Sequence, residues 1–151
     1  MGRFILGVTG NIATGKSTVV KMLVEKGAHH IDADEVYHGL IAPGQPLLKT
    51  LVDEFGSRIL NRDGSLNRKS LGSIVFYDPS KLKKLDEITH PVIIAESDRR
   101  AFAVEDGVVI LDAVKLIESG HADVCDQVWL VTAPMDTQVE RLMKRREARL
   151  A

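Results

Sequence analysis

Apolar and polar positions along this chain fall into blocks rather than alternating residue by residue. The opening block, Phe4-Ile5-Leu6-Gly7-Val8, is an unbroken apolar run, and Val108 to Leu111 and Val128 to Val131 repeat the type. Short continuous runs of this kind predict strands buried on both faces, as in a parallel sheet. Ala28 to Asp32 predicts a further short strand that leads into Asp32-Ala33-Asp34. Between these runs the period becomes helical. Lys16 to Lys26 predicts a helix stopped by Gly27, and a helical patch after Asp34 reaches about Ile41 before Pro43-Gly44 breaks it. Pro46 suits the first turn of a helix over Leu47 to Phe55, which Gly56 ends. Asn61-Arg62-Asp63-Gly64 predicts a turn, after which Leu71, Ile74 and Val75 recur at helical spacing. Asp78-Pro79 predicts the start of a helix through Ile88, and His90-Pro91 the start of a second, longer one toward Glu105. The last segment, Asp136 to Leu150, reads as helical and strongly basic.

Strands that alternate with helices imply an α/β fold, a parallel doubly wound sheet with ligands at the carboxyl ends of its strands. Four features fall at those ends: the loop after the first strand, Asp32-Ala33-Asp34, Asp112, and the loop after Val131. Pro43 to Arg100 holds no convincing strand. It reads as a helical insertion over the sheet edge, where a second substrate could bind.

The loop after the first strand carries the sharpest chemistry. Residues Gly10 to Ser17 read Gly-Asn-Ile-Ala-Thr-Gly-Lys-Ser, the G-x-x-x-x-G-K-[ST] phosphate-binding loop in its strand–loop–helix context. Gly10 and Gly15 let the backbone curl so that successive N–H groups point inward as an anion nest. The helix behind adds the positive end of its dipole. Phosphate contacts are thus expected from Asn11, Ile12, Ala13, Thr14, Gly15, Lys16, Ser17 and Thr18. Lys16 suits the β- and γ-phosphates, and the Ser17 hydroxyl suits Mg²⁺.

Composition adds little beyond an ordinary globular enzyme. The 151 residues fit one domain, with 44% hydrophobic and 27% charged residues. A net charge of −1 gives no electrostatic argument for nucleic acid or a membrane surface. The one cysteine, Cys125, excludes an internal disulfide and suits a reducing compartment. No apolar run approaches the ~20 residues that span a bilayer. Strand-like residues begin almost at Met1, leaving no room for a signal peptide, so the expected location is cytoplasmic.

With the loop in place, other elements become informative in order. They are Gly7-Val8-Thr9-Gly10, Ile31-Asp32-Ala33-Asp34, Phe55-Gly56 with Ile59-Leu60, Asp63-Gly64-Ser65-Leu66-Asn67-Arg68, Leu71 with Val75-Phe76, Leu85 with Ile88 and His90-Pro91, Leu116-Ile117-Glu118, and Gln138 with Arg141-Leu142. In this order and spacing the chain resembles the dephospho-coenzyme A kinases along nearly its whole length. The resemblance implies a P-loop NTPase fold, a three-layer α/β/α core with a parallel sheet, a helical acceptor-binding insertion and a lid. It divides the chain into a first core part (1–42), a helical acceptor-binding region (43–105), a second core part (106–135) and the start of the lid (136–151). The implied reaction passes the γ-phosphate of ATP to the 3′-hydroxyl of dephospho-coenzyme A, the last step of coenzyme A synthesis, with Mg²⁺ as cofactor.

The resemblance also assigns roles. Asp34 matches the family's catalytic base. From the residues alone, base and helix cap stay open for Asp32 and Asp34. His38, one helical turn on from Asp34, falls where the family carries an Arg or His near the acceptor. Arg68, whose planar fork suits a phosphate of the acceptor, also reads as a solvated residue at a helix start. His90, Lys115 and Glu118 complete the implied acceptor site, although Lys115 equally suits an exposed turn. Arg141 matches the arginine brought from the lid side to the transferring phosphate. Asp112, ending an apolar strand, suits a metal-side acid.

Three departures from the family's pattern stand out. Asn11 and Ala13 occupy loop positions where glycine is usual. Asn tolerates left-handed backbone and Ala suits a right-handed helical one, so the loop is expected to form. Val114-Lys115-Leu116 stands in place of the usual Pro-Leu-Leu. Family members also continue beyond Ala151, through more of the lid and an edge strand, which bears on the adenine pocket and on lid closure. Two further readings stay open: a P-loop kinase acting on another small molecule or nucleotide, and a nucleotide-binding module that does not turn over. Oligomeric state is not legible.

Overall fold

The fold is described from a computed structural model covering residues 2–150. Four strands, β1 (Arg3–Thr9), β2 (His29–Asp32), β3 (Gly107–Asp112) and β4 (Gln127–Leu130), form one sheet in the order β2-β3-β1-β4, and each pairing is parallel. The helices are α1 (Lys16–Glu25), α2 (Ala33–Leu40), α3 (Pro46–Phe55), α4 (Arg68–Val75), α5 (Pro79–Phe102) and α6 (Met135–Leu150). Packing divides the chain into two compact units. One holds the chain up to Asp32 and from Arg100 onward; the other is Ala33–Arg99.

The first unit carries the sheet. Leu6 and Val8 of β1, Ile110 of β3 and Val20 of α1 form its buried cluster, joined by Leu23, Ala28 and Val131. Alternation along β1 sends Gly7 to the other face. A Cβ built there would stand 2.5 Å from Leu116 Cδ2 and 2.8 Å from Cys125 Sγ. Only glycine allows the turns after β3 to pack that closely, and Leu116 is fully buried as a result. The inner strands β1 and β3 are thus covered on both faces, which is why they read as continuous apolar runs; β4, expected to be buried in the same way, is instead an edge strand with Trp129 and Leu130 exposed.

Register aligns the strand ends. Val8 of β1 and Asp32 of β2 both pair with Asp112 of β3, and Thr9 pairs with Leu130 of β4. The carboxyl ends of all four strands therefore share one edge. The strand order reverses there too: β1 leads outward to β2 past β3, while β3 leads to β4 past β1. This is the topological switch point at which α/β sheets bind ligands.

The second unit is helical. Ile41, Leu47, Leu51, Phe55, Ile59, Leu71 and Val75 form its core, flanked by Tyr37, Leu66, Leu85 and Ile88. Pro46 opens α3 and Gly56, at φ 95°, closes it, both as the sequence predicts. Asn67 caps α4 by accepting from the Ser70 N–H. No named strand lies here among the described residues, only an isolated bridge between Leu60 and Leu66.

One boundary differs from expectation. His90-Pro91 does not start a helix: α5 runs unbroken from Pro79 to Phe102 with Pro91 inside it. Pro91 is exposed, and its missing N–H removes one bond, to the Glu87 carbonyl. Buried Thr89, Ser97 and Ala101 recur at helical spacing on both sides of it, so one buried stripe crosses the proline. Continuity of that stripe outweighs the local preference for a first-turn proline.

Candidate active site

The loop that follows β1 owes its shape to three residues. A Cβ on Gly10 would lie 2.5 Å from the Val131 carbonyl oxygen, so glycine is needed there for close backbone approach. Thr14 Oγ1 donates to the Asn11 carbonyl at 2.9 Å and cross-braces the loop. Gly15 enters α1 at φ 100°, a left-handed position that favours glycine. No side chain caps α1, so the N–H groups of its first turn are left for an anion.

Ala13 departs from the right-handed backbone expected of it. Its φ is 61°, making it the one non-glycine residue with positive φ among the described residues. An L-residue there costs roughly 1–2 kcal/mol. In this conformation, which the inward curl of the loop's N–H groups calls for, the Ala13 carbonyl faces α6, where Arg141 Nη1 donates to it at 3.1 Å. Arg141 is thereby held at the phosphate loop, within 4 Å of the position a Cβ of Gly15 would take.

Behind the loop, Lys16 Nζ donates to Asp112 Oδ1 at 2.6 Å, with both side chains largely buried. The other carboxylate oxygen of Asp112 lies 3.0 Å from His30 Nε2. Asp32 shares the strand face of His30, two residues along β2, and its register partner is Asp112. Ser17, Lys21, Glu25, His30, Asp32 and Asp112 are among the residues lining a cleft of about 390 Å³ between α1 and the ends of β2 and β3. Asn11, Ile12, Ser17 and Thr18 are exposed, while Ala13 and Thr14 are buried as loop scaffold. The first unit thus brings together the phosphate loop, Lys16, Ser17, Arg141 and Asp112. Lys115 and Glu118 are also exposed in this unit, in the turns after β3.

The remaining expected site residues lie in the second unit. Asp34 is exposed in the first turn of α2, and His38 is exposed in its last turn, with its ring 6.2 Å from that of Tyr37. Burial pushes the Tyr37 phenol up, and the nearby Arg68 guanidinium partly offsets this. Arg68 is the first residue of α4 and exposed. His90 Nε2 lies 3.5 Å from Asp86, one turn back on α5.

His30 is the site residue that sequence reasoning missed. In isolation the pair His29-His30 reads as surface. The available signal was strand alternation, which puts His30 and Asp32 on one face at the carboxyl end of β2.

A phosphate loop at the switch point of a parallel sheet, with a lysine, a serine and an arginine around it, defines a P-loop phosphotransferase. Comparison with known proteins narrows the class. The family model described as Dephospho-CoA kinase matches residues 4–151. A dephospho-CoA kinase of Streptomyces avermitilis is 46% identical over 142 residues, covering 93% of this chain and 69% of the relative. One of Symbiobacterium thermophilum is 45% identical over 144 residues, and there the chain spans 60% of the relative. The solved structure of TT1252 from Thermus thermophilus superposes with a TM-score of 0.82 at 30% identity, covering 96% of this chain and 73% of that one. A dephospho-CoA kinase from Campylobacter jejuni, at 21% identity and a TM-score of 0.54 over 96% of this chain and 97% of that one, shares the fold. The chain belongs to the dephospho-CoA kinase family and is an ATP-dependent kinase.

Proposed function

We propose that this chain passes the γ-phosphate of ATP to the 3′-hydroxyl of dephospho-coenzyme A, giving ADP and coenzyme A. The observation that carries the donor half is the uncapped start of α1 behind a curled loop, with Lys16 and Arg141 beside it. Residues 11–18 hold the phosphates of ATP. On binding, Lys16 moves its charge from Asp112 to the β- and γ-phosphates, and the Arg141 guanidinium faces the transferring group. Mg²⁺ fits the oxygen-rich cleft next to the loop, where the exposed Ser17 hydroxyl would hold it. When bound, it neutralises phosphate charge. Asp34 takes the proton of the acceptor hydroxyl as the oxygen attacks phosphorus. Arg68 pairs with an acceptor phosphate, and His38, His90, Lys115 and Glu118 line the acceptor. A reducing, cytoplasmic setting accords with the single Cys125, which can form no disulfide within the chain; among the described residues, no helix is long and apolar enough to cross a membrane.

ADP production measured across a panel of acceptors tests this. Dephospho-coenzyme A is the expected substrate; turnover only with another alcohol or nucleotide would assign a different kinase, and ATP binding without transfer a non-catalytic module. In the same assay Asp34→Asn should lower kcat and kcat/KM together while ATP affinity stays nearly intact, as expected for an interaction made in the transition state. A rise in acceptor KM alone would make Asp34 a binding residue.

A further inference from the structure

The solvent face of α4 repeats one pattern in two adjacent rows. At i, i+4 and i+8 the first row reads Arg68, Gly72, Phe76, and the second reads Lys69, Ser73, Tyr77. Each row has a cation at the start of the helix, a small residue in its middle and an aromatic ring at or just past its C-cap. All six residues except Gly72 are exposed. Phe76 at 78% and Tyr77 at 92% are the two most exposed large hydrophobic side chains among the described residues. Leu71 and Val75, on the opposite face, account for the packing of α4 in its own unit and leave the outer rows unexplained. On the reading that dephospho-coenzyme A is the acceptor, we propose that Phe76 stacks on its adenine with Tyr77 beside it, and that Arg68 and Lys69 hold its 5′-diphosphate.

Gly72 carries the argument. It lies inside α4 and is not among the glycines with positive φ, so its backbone does not require glycine, and glycine weakens a helix relative to alanine. A Cβ built there would stand 3.3 Å from Phe76 Cδ2 and 3.4 Å from Phe76 Cε2, and would meet nothing else within 4 Å. Helical side chains lean toward the N-terminus, so the missing side chain lets the Phe76 ring lie close on the helix while it stays exposed. A ring held in this way is a platform for the face of a base. The cations at the other end suit phosphate oxygens, Arg68 as a planar fork and Lys69 as a point charge. Along the helix, four residues rise ~6 Å and eight ~12 Å, which brackets the spread of a nucleoside ring and its 5′-diphosphate. Gly72 and Ser73 leave the middle of that span free of bulk, where the ribose would lie. An aromatic pair alone suits many apolar groups and a cation pair many anions; joined at this span they select a ring linked to phosphate.

The test reads acceptor binding apart from turnover. Calorimetry follows dephospho-coenzyme A into the full chain with inorganic triphosphate and Mg²⁺ saturating the phosphate loop, and an analogue with cytosine in place of adenine is run beside it. Wild type should bind the adenine form more tightly. Phe76→Leu keeps apolar bulk without a π-face, and should weaken binding of the adenine form about tenfold and shrink its advantage over cytosine. Phe76→Trp should retain both. Gly72→Val displaces the ring, and should weaken binding while thermal unfolding shows a chain no less stable, because valine exceeds glycine in helix propensity. Lys69→Met should lower affinity and leave the adenine-to-cytosine ratio unchanged. In steady-state assays Phe76→Leu should raise the acceptor KM more than it lowers kcat, with the KM for ATP unmoved. Equal affinity in wild type and Phe76→Leu overturns the inference and leaves the proposed reaction standing. Affinity lost in Phe76→Leu, with no turnover of dephospho-coenzyme A by wild type, keeps the site and removes the reaction. No binding by wild type overturns both. A single-stranded oligoadenylate bound more tightly than dephospho-coenzyme A also overturns the inference, assigning the two rows to nucleic acid.

Discussion

Ala13 shows how one residue's backbone sets the geometry of the phosphate loop. A methyl group stands at φ 61°, and the carbonyl it presents accepts from Arg141. Glycine at this position would remove the roughly 1–2 kcal/mol steric cost and lose about 0.5–1 kcal/mol to unfolded-chain entropy. Ala13→Gly is therefore expected to stabilise by up to ~1.5 kcal/mol, a rise in Tm of up to about 3–6 °C for a chain of this size. Differential scanning calorimetry checks it, and a fall in Tm would contradict the strain argument. Gly10 obeys a different constraint, backbone approach to Val131, and glycine's freedom of φ is not what it supplies.

Within elements, α5 holds the clearest balance of local and tertiary forces. Pro91 is exposed, and its ring removes a backbone bond without burying anything in return. Pro91→Ala should restore the bond to the Glu87 carbonyl and raise stability by ~1–3 kcal/mol in denaturant unfolding. Unchanged or lower stability would mean that the packing around Pro91 favours proline there over the restored backbone bond. The start of the same helix responds to pH. Hydrogen bonds from the Ser80 hydroxyl and from the Lys81 and Ser80 N–H groups lower the Asp78 pKa, and the Lys81 charge adds to this. A carboxylate with a lowered folded pKa stabilises fully above its unfolded value, near 3.8, and that contribution is lost as pH falls through the folded value. Asp78→Ala should thus unfold at lower temperature than wild type at neutral pH, the gap closing as pH drops below about 4. A gap that persisted at acid pH would place the effect in packing. Asp63, bound by the Ser65 hydroxyl and N–H, is shifted the same way and sharpens the same acid limb.

For the whole molecule, the sheet order leaves β4 at an edge with Trp129 and Leu130 exposed. An edge strand carrying exposed apolar side chains is a template for pairing with a second copy. Light scattering of the 151-residue chain should show mass rising with concentration. Leu130→Lys, placing a charge on that edge, should suppress the rise. A concentration-independent monomer in the wild type would show that this surface does not pair.

The sequence by itself determined what depends on neighbouring residues. The phosphate loop, the bounds of α3 at Pro46 and Gly56, and the inner parallel strands β1 and β3 follow from fixed dihedrals and from short apolar runs, which need no distant partner, whereas the like run at β4 fell at an exposed sheet edge. The family, too, was legible in the order of its motifs. Tertiary structure decided what depends on register and packing across long separations. Lys16 meets Asp112 from 96 residues away, His30 meets the same carboxylate from 82, and Arg141 reaches Ala13 from 128. No local pattern encodes those meetings; parallel pairing of β2 and β3 and the return of α6 create them. The same holds where local preference was overridden. Ala13 is left-handed within the curl of the phosphate loop and its carbonyl is met there by a distant arginine, and α5 crosses Pro91 because one buried stripe extends on both sides of it. A residue's propensity is worth about a kilocalorie, and a packed or charge-paired contact outweighs it.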